Sequence, residues 1–147
     1  MPNRPEPDMG TEKDALPRRI VAVIIDSIIM GLIAGLIAGG GALGAMTASN
    51  IFSIALIGIA GIFIMFFYAF LLEGYIGQTI GKMVMGIVVV KENGEPCDYL
   101  ASFVRNLLRI VDGLFYYLVG LVAIILSNKR QRIGDHIANT VVVKARK

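Results

Sequence analysis

The stretch that decides the fold is Arg18-Arg19-Ile20-Val21-Ala22-Val23-Ile24-Ile25-Asp26-Ser27-Ile28-Ile29, which continues as a glycine-rich apolar run to Ala45. Between Ile20 and Leu72 the only formally charged side chain is Asp26. A carboxylate two turns into an apolar helix is expensive in lipid, so it demands a partner or a purpose. Arg19 and Asp26 are seven residues apart, which puts them on one helical face and ~10 Å apart along the axis. The rest of the chain is read outward from that face.

Composition sets the class. The 147 residues are 56% hydrophobic and 17% charged, with a mean hydropathy of +0.72, whereas an ordinary soluble domain is about a quarter charged. The apolar residues also fall in long blocks, which points to an all-α polytopic membrane protein. The single cysteine, Cys97, excludes an internal disulfide. One cysteine and one histidine cannot build a metal site, and phosphate-binding loops and nucleophile elbows are absent. The sequence therefore predicts a protein that is not an enzyme and needs no cofactor or metal. The net charge of +3 arises from basic residues beside apolar segments. That is the positive-inside pattern and not a nucleic-acid-binding patch.

Residues 1–17 are rich in proline and acidic side chains and read as a disordered cytoplasmic tail, without the features of a signal peptide. A transmembrane helix is expected over residues 18–45. Its ladder of Gly31, Gly35 and Gly39, with Gly40 and Gly44 on a neighbouring face, suits close helix packing, inside one subunit ahead of a dimer seam. An uncharged loop at 46–50 belongs on the outer face. A second transmembrane helix over 51–72 returns to the cytoplasm and ends at Glu73, flanked by the interfacial Tyr68 and Tyr75. Beyond it come Gln78-Thr79-Ile80-Gly81-Lys82, a β-branched strand at Ile87-Val88-Val89-Val90-Lys91 and an Asn93-Gly94 turn. The apolar segment from Tyr99 to Ser127 opens with Arg105, Arg109 and Asp112 on one face. The chain closes with Lys129-Arg130-Gln131-Arg132-Ile133-Gly134-Asp135 and a second valine strand, Thr140 to Lys144.

Residues 78–91 align without a gap on residues 131–144 with seven identities in fourteen. Arg-x6-Asp also occurs twice in the same order, as Arg19…Asp26 and Arg105…Asp112. The sequence therefore predicts a duplication, with one repeat over 18–91 and the other over 99–144, inside a single domain over 18–147. Parallel repeats place both valine strands on the cytoplasmic side as a two-stranded element. The second repeat must then enter and leave on one face. Its 29 residues from Tyr99 to Ser127 make ~43 Å of helix, too short for two spans of ~30 Å. A re-entrant helix to about Asp112 and a short helix after Gly113 fit, so the expected architecture is two full transmembrane helices plus a shorter third unit. Lys82 and Asp135 occupy matching positions and could form a salt bridge between repeats.

The arginine opening the first helix, Asp26, Arg105-Asn106-Leu107-Leu108-Arg109-Ile110-Val111-Asp112 and Lys129–Asp135 together resemble the RDD family of small prokaryotic membrane proteins, over residues 18–144. The family's namesake residues are one arginine and two aspartates. Arg19 and Asp26 match the first two, and the remaining aspartate is Asp112 or Asp135. What the resemblance implies is a small membrane protein for which ligand transport has been proposed, with cation/proton antiport suggested for some members.

Arg19, Asp26, Arg105, Arg109, Asp112 and Asp135 are the candidate site. Asp26 is expected either to bind protons or cations or to pair with Arg105 or Arg109. Two functions follow. In a small transporter, a cation/proton exchanger, the carboxylates carry the ion and the arginines set their pKa. In a non-transporting scaffold or accessory subunit, the same residues form a structural clasp. Lipid headgroup binding by Arg105, Arg109 and Lys129–Arg132 ranks below both. The expected partners are the bilayer, further copies of the chain, and a cation or small ligand. The expected location is the cell membrane, multi-pass, with both termini cytoplasmic.

Overall fold

The computed structural model describes residues 4–39, 51–114 and 118–146. In chain order the elements are β1 (Pro7–Asp8), α1 (Glu12–Gly39), α2 (Ile51–Ile76), α3 (Ile80–Met85), β2 (Ile87–Lys91), α4 (Tyr99–Leu114), α5 (Leu118–Leu126), α6 (Ile133–Ile137) and β3 (Thr140–Ala145). The fold is mostly helical. Two of its helices, α1 and α2, are long and apolar enough to cross a membrane.

Burial along these helices is inverted relative to a soluble protein. On α1 the residues turned inward are Ala15, Arg19, Ala22 and Asp26, while Ile20, Ile24, Ile28 and Leu32 face outward. On α4 the buried side chains are Ala101, Ser102, Arg105 and Asn106, and the exposed ones include Leu100, Phe103 and Leu107. Exposed apolar side chains also run along α2, from Ile51 to Leu71. In water such a surface would drive association, whereas a lipid environment accepts apolar side chains outside and requires polar ones inside.

The sheet has three strands in the order β1-β3-β2, all antiparallel neighbours. This corrects the two-stranded expectation and the disordered tail. Pro7 pairs with Ala145 and Asp8 with Lys144, and Arg4 donates to the carbonyls of Cys97 and Gly74. Residues 1–17 lack apolar periodicity because β1 is held by main-chain bonds and an arginine rather than by a buried face. The first helix likewise begins at Glu12, not Arg18, and its opening turn carries Glu12 and Asp14, which the helix N-terminus favours.

Between β2 and β3 the register runs from Ile87↔Lys144 through Val89↔Val142 to Lys91↔Thr140. Alternate side chains leave the sheet on opposite faces. Ile87, Val89 and Val142 join Ala15, Ala22, Cys97 and Ala101 in one cluster, while Val88, Val90, Val141 and Val143 form another. The sheet is thereby tied to the inner ends of α1 and α4.

Two glycines set how closely the short helices approach the long ones. A Cβ at Gly81 would run into the Ala22 carbonyl and the Asp26 carboxylate, and one at Gly134 would lie 2.9 Å from the Arg105 carbonyl. Gly31 and Gly35, expected to mediate close packing inside the subunit, instead meet no atom within 4 Å. Gly31 lines an open cavity between α1 and α2, together with Gly61 and Ile64. Gly39 ends α1 without a described side-chain environment, and Gly40, Gly44 and the 46–50 loop lie outside the described residues. Of the segment from Tyr99, α4 runs through Gly113 to Leu114, so it is not broken at Gly113, and α5 begins at Leu118; residues 115–117 lie outside the described residues.

Gly81→Ala should destabilise the detergent-solubilised protein by ~1–3 kcal/mol through overpacking. Gly31→Ala should be neutral or stabilising by up to ~1 kcal/mol, since alanine is the better helix former and nothing obstructs it. Thermal unfolding followed by circular dichroism compares the two.

Candidate functional site

The buried polar cluster sits where α1, α2, α3, α4 and α6 meet. Asp135, on the first turn of α6, is its hub. Its Oδ2 accepts Arg19 Nη2 at 2.6 Å and the Arg132 backbone N–H at 3.2 Å, and its Oδ1 receives Arg105 Nη2 at 3.0 Å. Arg19 also donates through Nη1 to the Arg130 carbonyl. One carboxylate, only 3% exposed, thus joins three elements. Burial alone would push the Asp135 carboxyl up, but Arg105, Arg19 and Arg132 hold it well below the usual aspartate range.

Glu73, at the inner end of α2, is the second hub and is 1% exposed. It pairs with Lys82 Nζ of α3 and accepts Asn106 Nδ2 at 3.1 Å, with Arg105 Nε 3.8 Å away. Burial pushes the Lys82 ammonium down, and although Glu73 counteracts this, it settles at about 8. Asn106 also donates to the Ser102 carbonyl, and Ser102 Oγ to the Phe70 carbonyl, which links α4 back to α2.

Asp26 is handled differently. Its carboxylate accepts Thr79 Oγ1 at 2.6 Å, the Gly81 N–H at 2.8 Å and the Tyr68 hydroxyl at 2.9 Å. Thr79 is the N-cap of α3 and Gly81 lies in its first turn, so the carboxylate sits at a helix N-terminus. Among the described residues Asp26 has no ion pair. The expected pairing with Arg105 or Arg109 is therefore corrected: Thr79, Gly81 and Tyr68 take the Asp26 carboxylate, and Arg105 pairs with Asp135. The Lys82–Asp135 bridge is also replaced, since Lys82 goes to Glu73 and Asp135 to the two arginines.

The structure thus brings Arg19, Arg105 and Asp135 together, puts Arg109 on the wall of the adjoining cavity, and leaves Asp26 apart from them on α1, bonded to the N-terminus of α3. Asp112 belongs to α4, but its side chain lies outside the described residues. Sequence reasoning missed Glu73, Asn106, Thr79, Tyr68 and Arg132 as members of the cluster. A signal existed for Glu73, the only acidic residue between Asp26 and Glu92. None existed for Tyr68, which reads as an ordinary interfacial tyrosine.

These residues were also the ones that carried a family resemblance, and comparison with known proteins decides it. The sequence profile described as RDD family matches residues 15–139. The chain belongs to the RDD family. Together with the two long apolar helices, this makes it a membrane protein. The proline-rich antigen homolog of Mycobacterium tuberculosis (strain ATCC 25618 / H37Rv) is 38% identical over 72 residues, which cover 48% of this chain and 30% of that protein. The proline-rich antigen of Mycobacterium leprae (strain TN) is 36% identical over 70 residues, 47% of this chain and 28% of that protein. The matches span less than a third of either relative. No solved structure matches this RDD chain.

Because its folded-state pKa is depressed, Asp135 contributes stability that is present above the unfolded aspartate pKa of ~3.9 and is lost as pH falls below it. At pH 7, Asp135→Asn should cost ~3–5 kcal/mol, because Arg19 and Arg105 remain buried without their counter-ion. The gap between native and variant stability should narrow below about pH 4. Denaturant unfolding in detergent at several pH values measures it.

Proposed function

We propose that this RDD protein is a multi-pass scaffold or accessory subunit of the cell membrane, without transport activity, whose buried charges are a structural clasp. The observation that carries this reading is that each described carboxylate of the cluster is closed by donors from other elements: Asp26 by Thr79, Gly81 and Tyr68, Asp135 by Arg19 and Arg105, Glu73 by Lys82 and Asn106. An ion carrier needs a carboxylate that can exchange its partner for a solvent ion at little cost. Here every exchange would leave buried cations or backbone donors unsatisfied.

In this reading α1 and α2 cross the bilayer and α4 with α5 forms a shorter re-entrant unit. Both termini lie on the cytoplasmic side, which the pairing of β1 with β3 favours. The two halves arise from a duplication. Supporting this, Gln78 donates to the Ile87 carbonyl and Gln131 to the Thr140 carbonyl, at identical spacing. The register from Ile87↔Lys144 to Lys91↔Thr140 also maps onto itself when the repeats are exchanged. The open face at Gly35 suits packing against a second copy. A scaffold role agrees with the relatives, in which the matching stretch is joined to other sequence making up most of the chain.

The competing reading is the cation/proton exchanger, and one observation favours it: Asp26, within an apolar helix, has no basic partner among the described residues. Proteoliposomes holding the native chain should show no cation-driven proton flux above protein-free controls. Asp26→Asn should lower the unfolding temperature, because the amide that replaces one carboxylate oxygen cannot accept the bonds that oxygen took. Native flux that disappears in a folded Asp26→Asn protein would overturn the scaffold in favour of the exchanger.

A further inference from the structure

Beyond the clasp, the described residues of the cluster enclose more positive than negative charge. A cavity of about 30 Å³ lies between α1, α3, α4 and α6, and among its described walls are Arg19, Lys82, Arg105, Arg109 and Arg132 against the single carboxylate of Asp135. Glu73 stands behind it, already engaged by Lys82 and Asn106. Arg105 is 8% exposed, and among the described residues its Nε and Nη1 atoms have no hydrogen-bond partner. Guanidinium donors left buried and unmet carry an uncompensated desolvation cost. Native proteins meet such donors with a ligand, an ion or water.

From this geometry we infer that the cavity is a binding site for a phosphate-class oxyanion, held by Arg105 from within and by the half-buried Arg109 and Arg132 on its more exposed side. A tetrahedral oxyanion offers several acceptor oxygens at once, and guanidinium groups meet them with paired N–H donors. The cations of the walls stay charged at neutral pH and repel one another. Burial, followed by the repulsion of Arg19 and Arg109, pushes the Arg132 guanidinium down to about 10. The anion would complete the charge balance of the cluster without displacing any clasp contact. The site would accept the same group from two sources, free inorganic phosphate or the phosphodiester of an anionic lipid.

The full chain, purified in a phosphate-free nonionic detergent, is titrated with inorganic phosphate by calorimetry. In parallel, native mass spectrometry counts phosphatidylglycerol molecules retained per chain. The comparison protein is Arg109→Gln combined with Arg132→Gln, because neither side chain forms an ion pair among the described residues. Circular dichroism and the unfolding temperature verify its fold; if the pair prevents folding, Arg132→Gln alone is used. Saturable phosphate binding, weakened at least tenfold in the variant, supports a free-phosphate site. One retained phosphatidylglycerol per native chain, lost in the variant, with no free-phosphate binding, supports the lipid source of the same group. Absence of both, or equal binding by native and folded variant, overturns the inference. Proton flux does not enter this test, so it can fail while the scaffold reading holds, and the reverse.

Discussion

Asp135 shared between Arg19 and Arg105 is the interaction on which the rest of the structure depends. Charged groups in a low-dielectric interior pay a large desolvation cost, which only close opposite charge and further hydrogen bonds offset. That constraint forces α1, α4 and α6 to converge on one carboxylate, and Glu73 with Lys82 does the same for α2 and α3. Once the two hubs are formed, α3 and α6 are held against the long helices. The valine strands that follow each of them are then delivered side by side. A short helix such as Ile133–Ile137 has little intrinsic stability. Its position comes from the charge at its first turn and from the glycine that lets it approach.

The inverted burial of α1 and α4 follows from the same physics. In lipid, apolar side chains gain little by packing together, so helix association depends on close packing and polar contacts. Ser102, Arg105 and Asn106 form the inner face of α4, and Leu100, Phe103 and Leu107 the outer one. The polar cluster thus occupies the place that a hydrophobic core takes in a soluble domain, and the apolar core is confined to the sheet and the inner ends of α1 and α4. Among the described residues the cluster also leaves donors of Arg105 unmet, which turns a structural device into a candidate anion site.

Much of this was legible in the sequence, for identifiable reasons. The apolar blocks and the isolated Asp26 announced two long helices, because hydropathy over a twenty-residue window is a strong signal. The matching Gln-x-Ile-Gly and valine strands pointed to equivalent turns, and Gln78 and Gln131 do make the same bond to a carbonyl nine residues on. Pairing of charges was not legible. Asp26 had several arginines within plausible reach, and only the three-dimensional path of the chain brings Thr79 and the Gly81 N–H to it first. Glu73 looked like the end of a helix because its partner, Lys82, lies beyond a turn whose direction local sequence does not encode. The strand at Pro7–Asp8 was hidden for a related reason: a two-residue edge strand secured by backbone bonds has no side-chain period to read.

The central claim, that buried charge pairing holds the helices together, is tested most directly by a double-mutant cycle on Arg19→Gln and Asp135→Asn, with unfolding free energies measured in detergent. The account predicts that the two single variants are each strongly destabilised and that the double variant is less destabilised than their sum, with a coupling of about 1.5 kcal/mol or more, as found for close charge pairs. Additive effects, with a coupling near zero, would contradict it.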